Sequence, residues 1–181
     1  MDGLDDQVIE EAQRSHASLF AENGERGASA ALRFAPEPSR PFERALPAPT
    51  SSVREIEFAG GQLGTLRRFI SDWAAEQRFA AEQTDELVLA VNELATNSIR
   101  YGGGTGRLLA WCDDGALVCE IRDSGHIADP LIGRSRPAPN QHTGRGLWLV
   151  HQLCDVVEIH SSPAGTAVRV HKRRATDAGG V

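Results

Sequence analysis

The sequence predicts an α+β fold of two layers, in which helices cover one face of a mixed β-sheet. Three observations predict it. Two amphipathic helical segments follow a short strand, two strand pairs occur further along the chain, and one short apolar helix separates those pairs. Strands and helices in this order favour a sandwich of one sheet and one helical layer.

The composition is that of a soluble globular protein. The chain has 181 residues, of which 40% are hydrophobic and 24% are charged. Its net charge of −6 argues against direct nucleic-acid binding, which normally requires a basic face. No apolar run reaches the ~20 residues that span a bilayer, and the N-terminus lacks a signal-peptide pattern. We therefore expect a cytoplasmic protein that does not bind membranes.

The cysteine pattern excludes two kinds of structural cross-link. Cys112, Cys119 and Cys154 are odd in number and not clustered, so they form neither a disulfide framework nor a zinc site. All three lie in apolar segments. We expect buried free thiols.

The chain divides near residue 50. Residues 1–50 begin with an acidic stretch that is consistent with one helix as far as Leu19, and they continue into a Gly-, Ala- and Pro-rich linker. Proline at this density breaks regular structure. We expect one domain over residues 51–173 and a flexible tail over residues 174–181.

The first half of this domain is predicted to be one strand and two helices. Ile56 and Phe58 alternate with charged residues and predict the strand. Apolar residues at helical spacing predict the first helix over residues 62–77. Thr84 is the expected N-cap of the second helix, with acidic residues in the first turn. Three glycines starting at Gly102 are expected to end it.

The second half is predicted to contain two strand pairs around a short helix. Asp113-Asp114-Gly115 is a strong hairpin signal between the first two strands. Apolar residues predict a helix over residues 146–154, after a loop over residues 123–144. The expected strands span residues 107–112, 116–122, 155–161 and 166–172.

Glu93 and Asn97 form the first candidate for a functional site. They are four positions apart in the second predicted helix and therefore project from one face. By default such a pair is an ordinary exposed pair. However, Ala95 and Ser98 are small, which leaves room for a ligand, and the helix runs into glycines that permit close backbone approach.

Three further motifs carry candidate residues. Asp123 ends a predicted strand, where a carboxylate either forms a turn or, when buried, accepts a hydrogen bond from an amino group such as that of adenine. Gly144 and Gly146 precede the short helix, whose N-terminal amides suit a phosphate. Between them, Arg145 either adds positive charge or points to solvent. Thr166 opens the last strand, where a plain hairpin turn is the simpler interpretation.

Taken together and in this order, the motifs resemble the N, G1, G2 and G3 boxes of the GHKL (Bergerat-fold) ATPases. The segment 92–98, Asn-Glu-Leu-Ala-Thr-Asn-Ser, is similar to the N-box of the anti-sigma factor/serine kinase branch, the RsbW-like proteins. This resemblance covers roughly residues 50–172. Residues 1–50 resemble the trailing segment of a sensory MEDS-type domain that precedes such ATPases in some actinobacterial regulators.

The resemblance implies ATP and Mg²⁺ as cofactors. Asn97 is the implied ligand of Mg²⁺, Glu93 the implied general base, and Asp123 the implied partner of the adenine amino group. The other residues implied to surround the nucleotide are Gly125, Gly144, Arg145, Gly146, Leu147 and Thr166. The chain departs from the family pattern at Ile127, where a second glycine is usual. The segment between the G1 and G2 boxes is also short and contains prolines, so we expect no long lid over the nucleotide.

The implied function is an anti-sigma regulatory factor. It would sequester a sigma factor and phosphorylate a serine or threonine of a STAS-type antagonist, and it is compatible with a homodimer. The alternative, favoured by Ile127 and the short lid, is a nucleotide-responsive protein-binding module without catalysis. A third interpretation, the catalytic half of a histidine kinase, lacks both a phosphoacceptor box and a pair of dimerisation helices.

Overall fold

The computed structural model of the protein falls into two units, residues 1–40 and residues 41–181. It describes the backbone of residues 18–20 and 26–28, and it describes in full residues 45–129, 132–137 and 145–174.

In the first unit, strands β1 (Ser18–Phe20) and β2 (Arg26–Ala28) pair antiparallel. The expected helix is therefore wrong at Ser18 and Leu19, because pairing with β2 satisfies their backbone groups in an extended conformation. The strand β2 likewise interrupts the expected irregular linker. The rest of the expected helix lies outside the described residues.

The second unit contains every element that the sequence predicts for the domain. Its described residues form five strands and three helices, which follow one another in the expected order. They are β3 (Arg54–Ala59), α1 (Leu63–Glu76), α2 (Ala81–Tyr101), β4 (Thr105–Asp113), β5 (Ala116–Asp123), α3 (Arg145–Leu153), β6 (Val156–Ser162) and β7 (Gly165–Arg173).

The five strands form one sheet in the order β3-β4-β5-β7-β6. All four neighbouring pairs are antiparallel, so the α+β class is confirmed but the expected mixed sheet is wrong. The chain crosses over from β5 through α3 to β6 at the sheet edge. Strand β6 runs in the same direction as β5, but β7 lies between them, so these two strands do not pair.

Helix α2 is the central element of the helical layer, since both α1 and α3 pack against it. It begins at Ala81, before the expected N-cap residue Thr84, and Ala80 at its N-cap makes no side-chain hydrogen bond. Thr84 instead donates its N–H to Ala80 O at 3.0 Å. The residues preceding Thr84 are good helix formers, and Glu82 complements the helix dipole in the first turn.

The hydrophobic core lies between the helices and one face of the sheet. Side chains of all three helices and of strands β3, β4, β5 and β7 form one continuous buried cluster. Its largest fully buried members include Leu66, Ile70, Leu87, Leu108, Leu117 and Ile121.

A smaller buried cluster lies on the opposite face of the sheet, the outer face. It consists of Leu109, Trp111, Ala116 and Val118. Beside it, Arg169 stacks 4.9 Å from the centre of the Trp111 ring. The outer face of this sheet is therefore also packed, although no helix among the described residues covers it.

The three cysteines are free thiols, as the sequence predicts. Cys119 and Cys154 are buried, and Cys112 is half-buried. Burial raises the pKa of Cys154 to about 12 and raises the pKa of Cys119 well above its ordinary value. Both thiols therefore stay protonated at neutral pH, consistent with a packing role. Within the described ranges, no helix combines the length and the apolar character needed to cross a bilayer.

Candidate functional site

A cavity of about 690 Å³ opens between α2, the end of β5, the following segment and the start of α3. This volume is in the range of ~300–1,000 Å³ that is usual for small-molecule sites. The structure brings eight of the nine sequence-predicted site residues to its wall, while Gly144 lies outside the described residues. The eight are Glu93, Asn97, Asp123, Gly125, Arg145, Gly146, Leu147 and Thr166.

Glu93 and Asn97 line the cavity from α2, on the side that faces α3. Leu94 and Ala95, between them in the chain, are buried in the core, so the helix turns the two polar side chains partly toward the opening. Gly146 in the first turn of α3 packs directly against them. A Cβ atom added there would lie 2.7 Å from Glu93 Oε2 and 3.7 Å from Asn97 Nδ2. Glycine at this position therefore permits α3 to begin beside the pair.

The polar atoms of Glu93 and Asn97 are available to a ligand. Across the part of the chain that the structure describes, neither side chain forms a hydrogen bond or ion pair. The neighbouring Asn92, by contrast, accepts a hydrogen bond from Arg67 at 2.9 Å and another, at its carbonyl, from Thr96 at 2.7 Å. Hydrogen bonds within the protein thus hold the neighbouring Asn92, whereas Glu93 and Asn97 face the cavity.

Asp123 lies at the other end of the cavity, where β5 ends. Its Oδ2 accepts a hydrogen bond from the buried Ser98 hydroxyl at 2.5 Å, and its Oδ1 accepts one from the Gly125 N–H at 2.8 Å. An ionised carboxylate accepts about four hydrogen bonds. The two bonds hold the carboxylate in one orientation and leave acceptor capacity, which fits the amino group of an adenine base.

Glycines bring the backbone close to Asp123 from three directions. A Cβ atom at Gly102 would collide with the Asp123 carboxyl group. One at Gly125 would lie 2.9 Å from Tyr101 O, and one at Gly165 would lie 2.5 Å from Asp123 O. The three glycines therefore surround Asp123 closely. A Cβ atom at Gly102 or Gly125 would crowd its carboxylate, and one at Gly165 would crowd its main-chain carbonyl.

Two buried hydroxyl groups support this end of the cavity. Thr166 donates to Gly125 O at 2.9 Å, and the hydroxyl of Ser161 lies 2.9 Å from that of Thr166. Neither Ser161 nor Ser98 is among the site residues that the sequence predicts. Ser98 was detectable as a polar residue on the buried side of an amphipathic helix, whereas Ser161 carries no signal in the sequence.

Ile127, where the family pattern has glycine, fits its position without backbone strain. Positive φ angles occur at only two non-glycine residues in the described part of the chain, Arg78 and Asp114. The Ile127 side chain packs against the core, and its N–H donates to Ser161 Oγ at 2.8 Å. Isoleucine at this position is therefore compatible with the backbone conformation after Asp123.

The opposite end of the cavity is suited to negatively charged groups. The first turn of α3, with Arg145, Gly146 and Leu147, lines it. Amide groups at a helix N-terminus and guanidinium groups both favour phosphate oxygens. The cavity thus combines the carboxylate and hydroxyl acceptors around Asp123 with the first turn of α3 and Arg145 near Glu93.

The chain is similar to known proteins in sequence and in fold. The model of the histidine kinase-like ATPase domain family matches residues 56–172, a range that contains every candidate residue. The anti-sigma F factor of Clostridium acetobutylicum is 27% identical over 118 residues, which are 59% of this chain and 81% of that protein.

Among solved structures, the RsbU and RsbW domains of Rv1364c from Mycobacterium tuberculosis superpose with a TM-score of 0.55 at 19% identity. The match covers 72% of this chain and 35% of that one, so this chain corresponds to about a third of the longer protein. At this identity the superposition shows a shared fold. The family match covers more than half of the chain and includes the residues around the cavity. The chain therefore belongs to the histidine kinase-like ATPase domain family, which implies that it binds ATP.

Proposed function

We propose that this chain is an anti-sigma regulatory factor with protein serine/threonine kinase activity. It sequesters a sigma factor and, with Mg-ATP, phosphorylates a serine or threonine of a STAS-type antagonist. The similarity to an anti-sigma F factor and the fold shared with a structure that contains an RsbW domain support the proposal. The observation that carries it is the convergence of Glu93 and Asn97 on the cavity that also contains Asp123.

Glu93 acts as the general base. Its carboxylate accepts the proton of the attacking serine or threonine hydroxyl, whose oxygen forms a bond to the terminal phosphorus as the bond to the ADP oxygen breaks. The position of Glu93 beside the first turn of α3 suits this role, because phosphate groups are favoured at that helix N-terminus. The new phosphate adds negative charge to the antagonist and weakens its binding at an interface.

Asn97 fits the role of a magnesium ligand through its amide oxygen. Mg²⁺ typically takes few protein ligands and completes its shell with phosphate oxygens and water. Within the described residues, no cluster of three His, Cys, Asp or Glu side chains offers another metal site. When bound, Mg²⁺ neutralises negative charge on the phosphate oxygens. At the other end of the cavity, Asp123 accepts a hydrogen bond from the adenine amino group.

Replacing Glu93 separates catalysis from binding. We expect Glu93→Gln to lower the rate of phosphate transfer about 10²- to 10⁴-fold, which is the usual contribution of a general base. The Kd for Mg-ATP stays within about twofold, because the amide retains the size of the carboxylate. The measurements are transfer of labelled phosphate from ATP to a STAS-type protein that binds the chain, and calorimetric titration of Mg-ATP.

The matched control is Glu82→Gln, an exposed glutamate in the first turn of the same helix, which should leave both quantities unchanged. Full transfer by Glu93→Gln contradicts the role of this residue. If the wild type binds Mg-ATP and a partner but transfers no phosphate, the chain is the catalytically inactive, nucleotide-responsive binding module. The bulky Ile127 in place of the usual glycine is the observation that favours this second candidate.

A further inference from the structure

A row of three polar side chains crosses the sheet at the end of the cavity where Asp123 lies, which we call the base end. Thr166 on β7 lies opposite Asp123 on β5 and opposite Ser161 on β6. Alternation along the three strands places all of them on the face that carries the buried core residues Ile121 and Val168. Ser161 is 3% exposed and Thr166 is 6% exposed. Both hydroxyl groups therefore depend on protein partners for their hydrogen bonds.

These partners lie in the segment 125–127, which lines the cavity directly after Asp123. Thr166 holds the carbonyl of Gly125 at 2.9 Å. Ser161 receives the N–H of Ile127 at 2.8 Å and lies 3.3 Å from Nδ1 of His126. Two hydroxyl groups, from the inner strand β7 and the edge strand β6, thus anchor three consecutive residues of the cavity wall.

Counting protons assigns a direction to every bond in this group. Thr166 donates its one proton to the Gly125 carbonyl, so in the contact between the two hydroxyls Ser161 is the donor and Thr166 the acceptor. The proton of Ser161 is then used, and its oxygen already accepts the N–H of Ile127. The contact with His126 consequently requires a proton on Nδ1 of the histidine, in its neutral Nδ1–H tautomer or in its protonated form.

We propose that Ser161 is a positioning residue for nucleotide binding and that His126 orients it. The hydrogen bonds run from His126 Nδ1–H to Ser161, from Ser161 to Thr166, and from Thr166 to the Gly125 carbonyl. This series of hydrogen bonds holds the segment 125–127 against the base end of the cavity, where the family pattern relies on a second glycine. The inference rests on the ATP binding that underlies the proposed function.

The donor-to-acceptor direction of these hydrogen bonds also determines what Thr166 presents to a ligand. Its proton is committed to Gly125 and one lone pair to Ser161, so its oxygen can only accept a further bond. Asp123 is likewise an acceptor. The base end of the cavity therefore presents acceptors to the ligand, in agreement with an exocyclic amino group.

The first experiment uses the protein without nucleotide. The ¹⁵N NMR spectrum of the histidines should show His126 with its proton on Nδ1, and the Ile127 amide should exchange slowly with solvent. In Ser161→Ala the tautomer preference should be lost and the Ile127 amide should exchange about tenfold faster, as expected for the loss of one hydrogen bond. The control is Ser162→Ala, which removes the adjacent hydroxyl whose contact is with Ala164 N, and it should change neither signal.

The second experiment measures binding of Mg-ATP by calorimetry. Ser161→Ala should weaken binding about three- to tenfold, which corresponds to one hydrogen bond, and Ser162→Ala should have no effect. His126→Leu should weaken binding, whereas His126→Asn should retain most of the affinity, because its side-chain amide can place an N–H donor near the position of Nδ1.

The outcomes separate this inference from the proposed function. A wild type that does not bind Mg-ATP contradicts the proposed function and the nucleotide-positioning role together. If the wild type binds but Ser161→Ala binds as tightly as Ser162→Ala, only the role of Ser161 is overturned. A neutral His126 with its proton on Nε2 alone overturns the direction of the hydrogen bonds.

Discussion

At the scale of single residues, Asp123 shows how the site depends on acceptors. Both of its oxygens accept hydrogen bonds, from Ser98 and from the Gly125 N–H. The Ser98 hydroxyl also lies 3.2 Å from Leu94 O. If an amide replaced the carboxylate, Ser98 could donate to that carbonyl instead and accept from the amide. The protein can therefore keep its own hydrogen bonds when an amide replaces the carboxylate. The amino group of a bound base cannot, because it can only donate.

This asymmetry predicts the effect of Asp123→Asn. We expect a loss of about 1 kcal/mol in the free energy of unfolding and a loss of about ten- to one-hundredfold in affinity for Mg-ATP, because one acceptor becomes a donor. Urea unfolding and calorimetric titration measure the two quantities. The control is Asp113→Asn at the exposed end of β4, which should leave affinity unchanged. Equal affinity in both variants would show that Asp123 does not bind the base.

At the scale of elements, the end of α2 and the end of β5 form one unit. Gly102, the C-cap of α2, donates its N–H to Ser98 O at 2.8 Å, and its carbonyl accepts the N–H of Ser124 at 3.1 Å. The two following glycines have φ values of +93° and +86°, a region that few other residues adopt. The glycine run therefore ends the helix and attaches it to the strand that carries Asp123.

Gly102→Ala tests this attachment. The added methyl group would collide with the Asp123 carboxyl group, so we expect a loss of about 1–3 kcal/mol in stability and at least about tenfold weaker binding of Mg-ATP. The matched change is Gly60→Ala, where the nearest atom, Ile99 Cγ2, is 4.0 Å away. That variant should keep its affinity and be unchanged or slightly more stable. Wild-type affinity in Gly102→Ala would mean that the carboxylate can move without consequence.

At the scale of the whole molecule, the sheet is packed on both faces. On the outer face Glu120 is fully buried and pairs with Arg169 at 2.6 Å and with Arg122 at 2.5 Å. Arg169 also donates to Pro47 O at 2.6 Å, and Ser51 donates to Cys112 O at 2.7 Å. The residues just before β3 are thus part of the domain and shield a charge from water.

The buried pair predicts a large effect of Arg169→Met. Removing one partner of a buried ion pair costs about 3–5 kcal/mol, because the other charge is left with too little compensation. Here we expect about 3 kcal/mol, since Arg122 remains beside Glu120. The comparison is Arg107→Met, whose ion pairs with Glu55 and Glu57 are exposed and should contribute less than about 1 kcal/mol.

Urea unfolding followed by circular dichroism measures both variants. Replacing both members of the pair, with Glu120→Leu added to Arg169→Met, should recover much of the lost stability. A loss for Arg169→Met no larger than that for Arg107→Met would show that solvent reaches the outer face.

The sequence by itself determined the class of the fold and most of the residues that are proposed to bind the nucleotide. Apolar periodicity, the Asp-Gly turn and the glycine run are local signals, and they predict the helices and strands because each acts over a few residues. Glu93, Asn97 and Asp123 were recognisable from their motifs. Where local signals compete, prediction was less accurate: helix α2 begins before Thr84 because the preceding residues are also good helix formers.

Only the tertiary structure decided the features that join distant parts of the chain. The insertion of β7 between β5 and β6 makes the sheet antiparallel throughout, and pairing with β2 makes Ser18–Phe20 a strand. The register of β6 against β7 places Ser161 opposite Thr166 and beside the segment after Asp123. The burial of Glu120 beside Arg169 depends on strand register. Side chains far apart in sequence meet through register and crossover, and neither leaves a pattern in the local sequence.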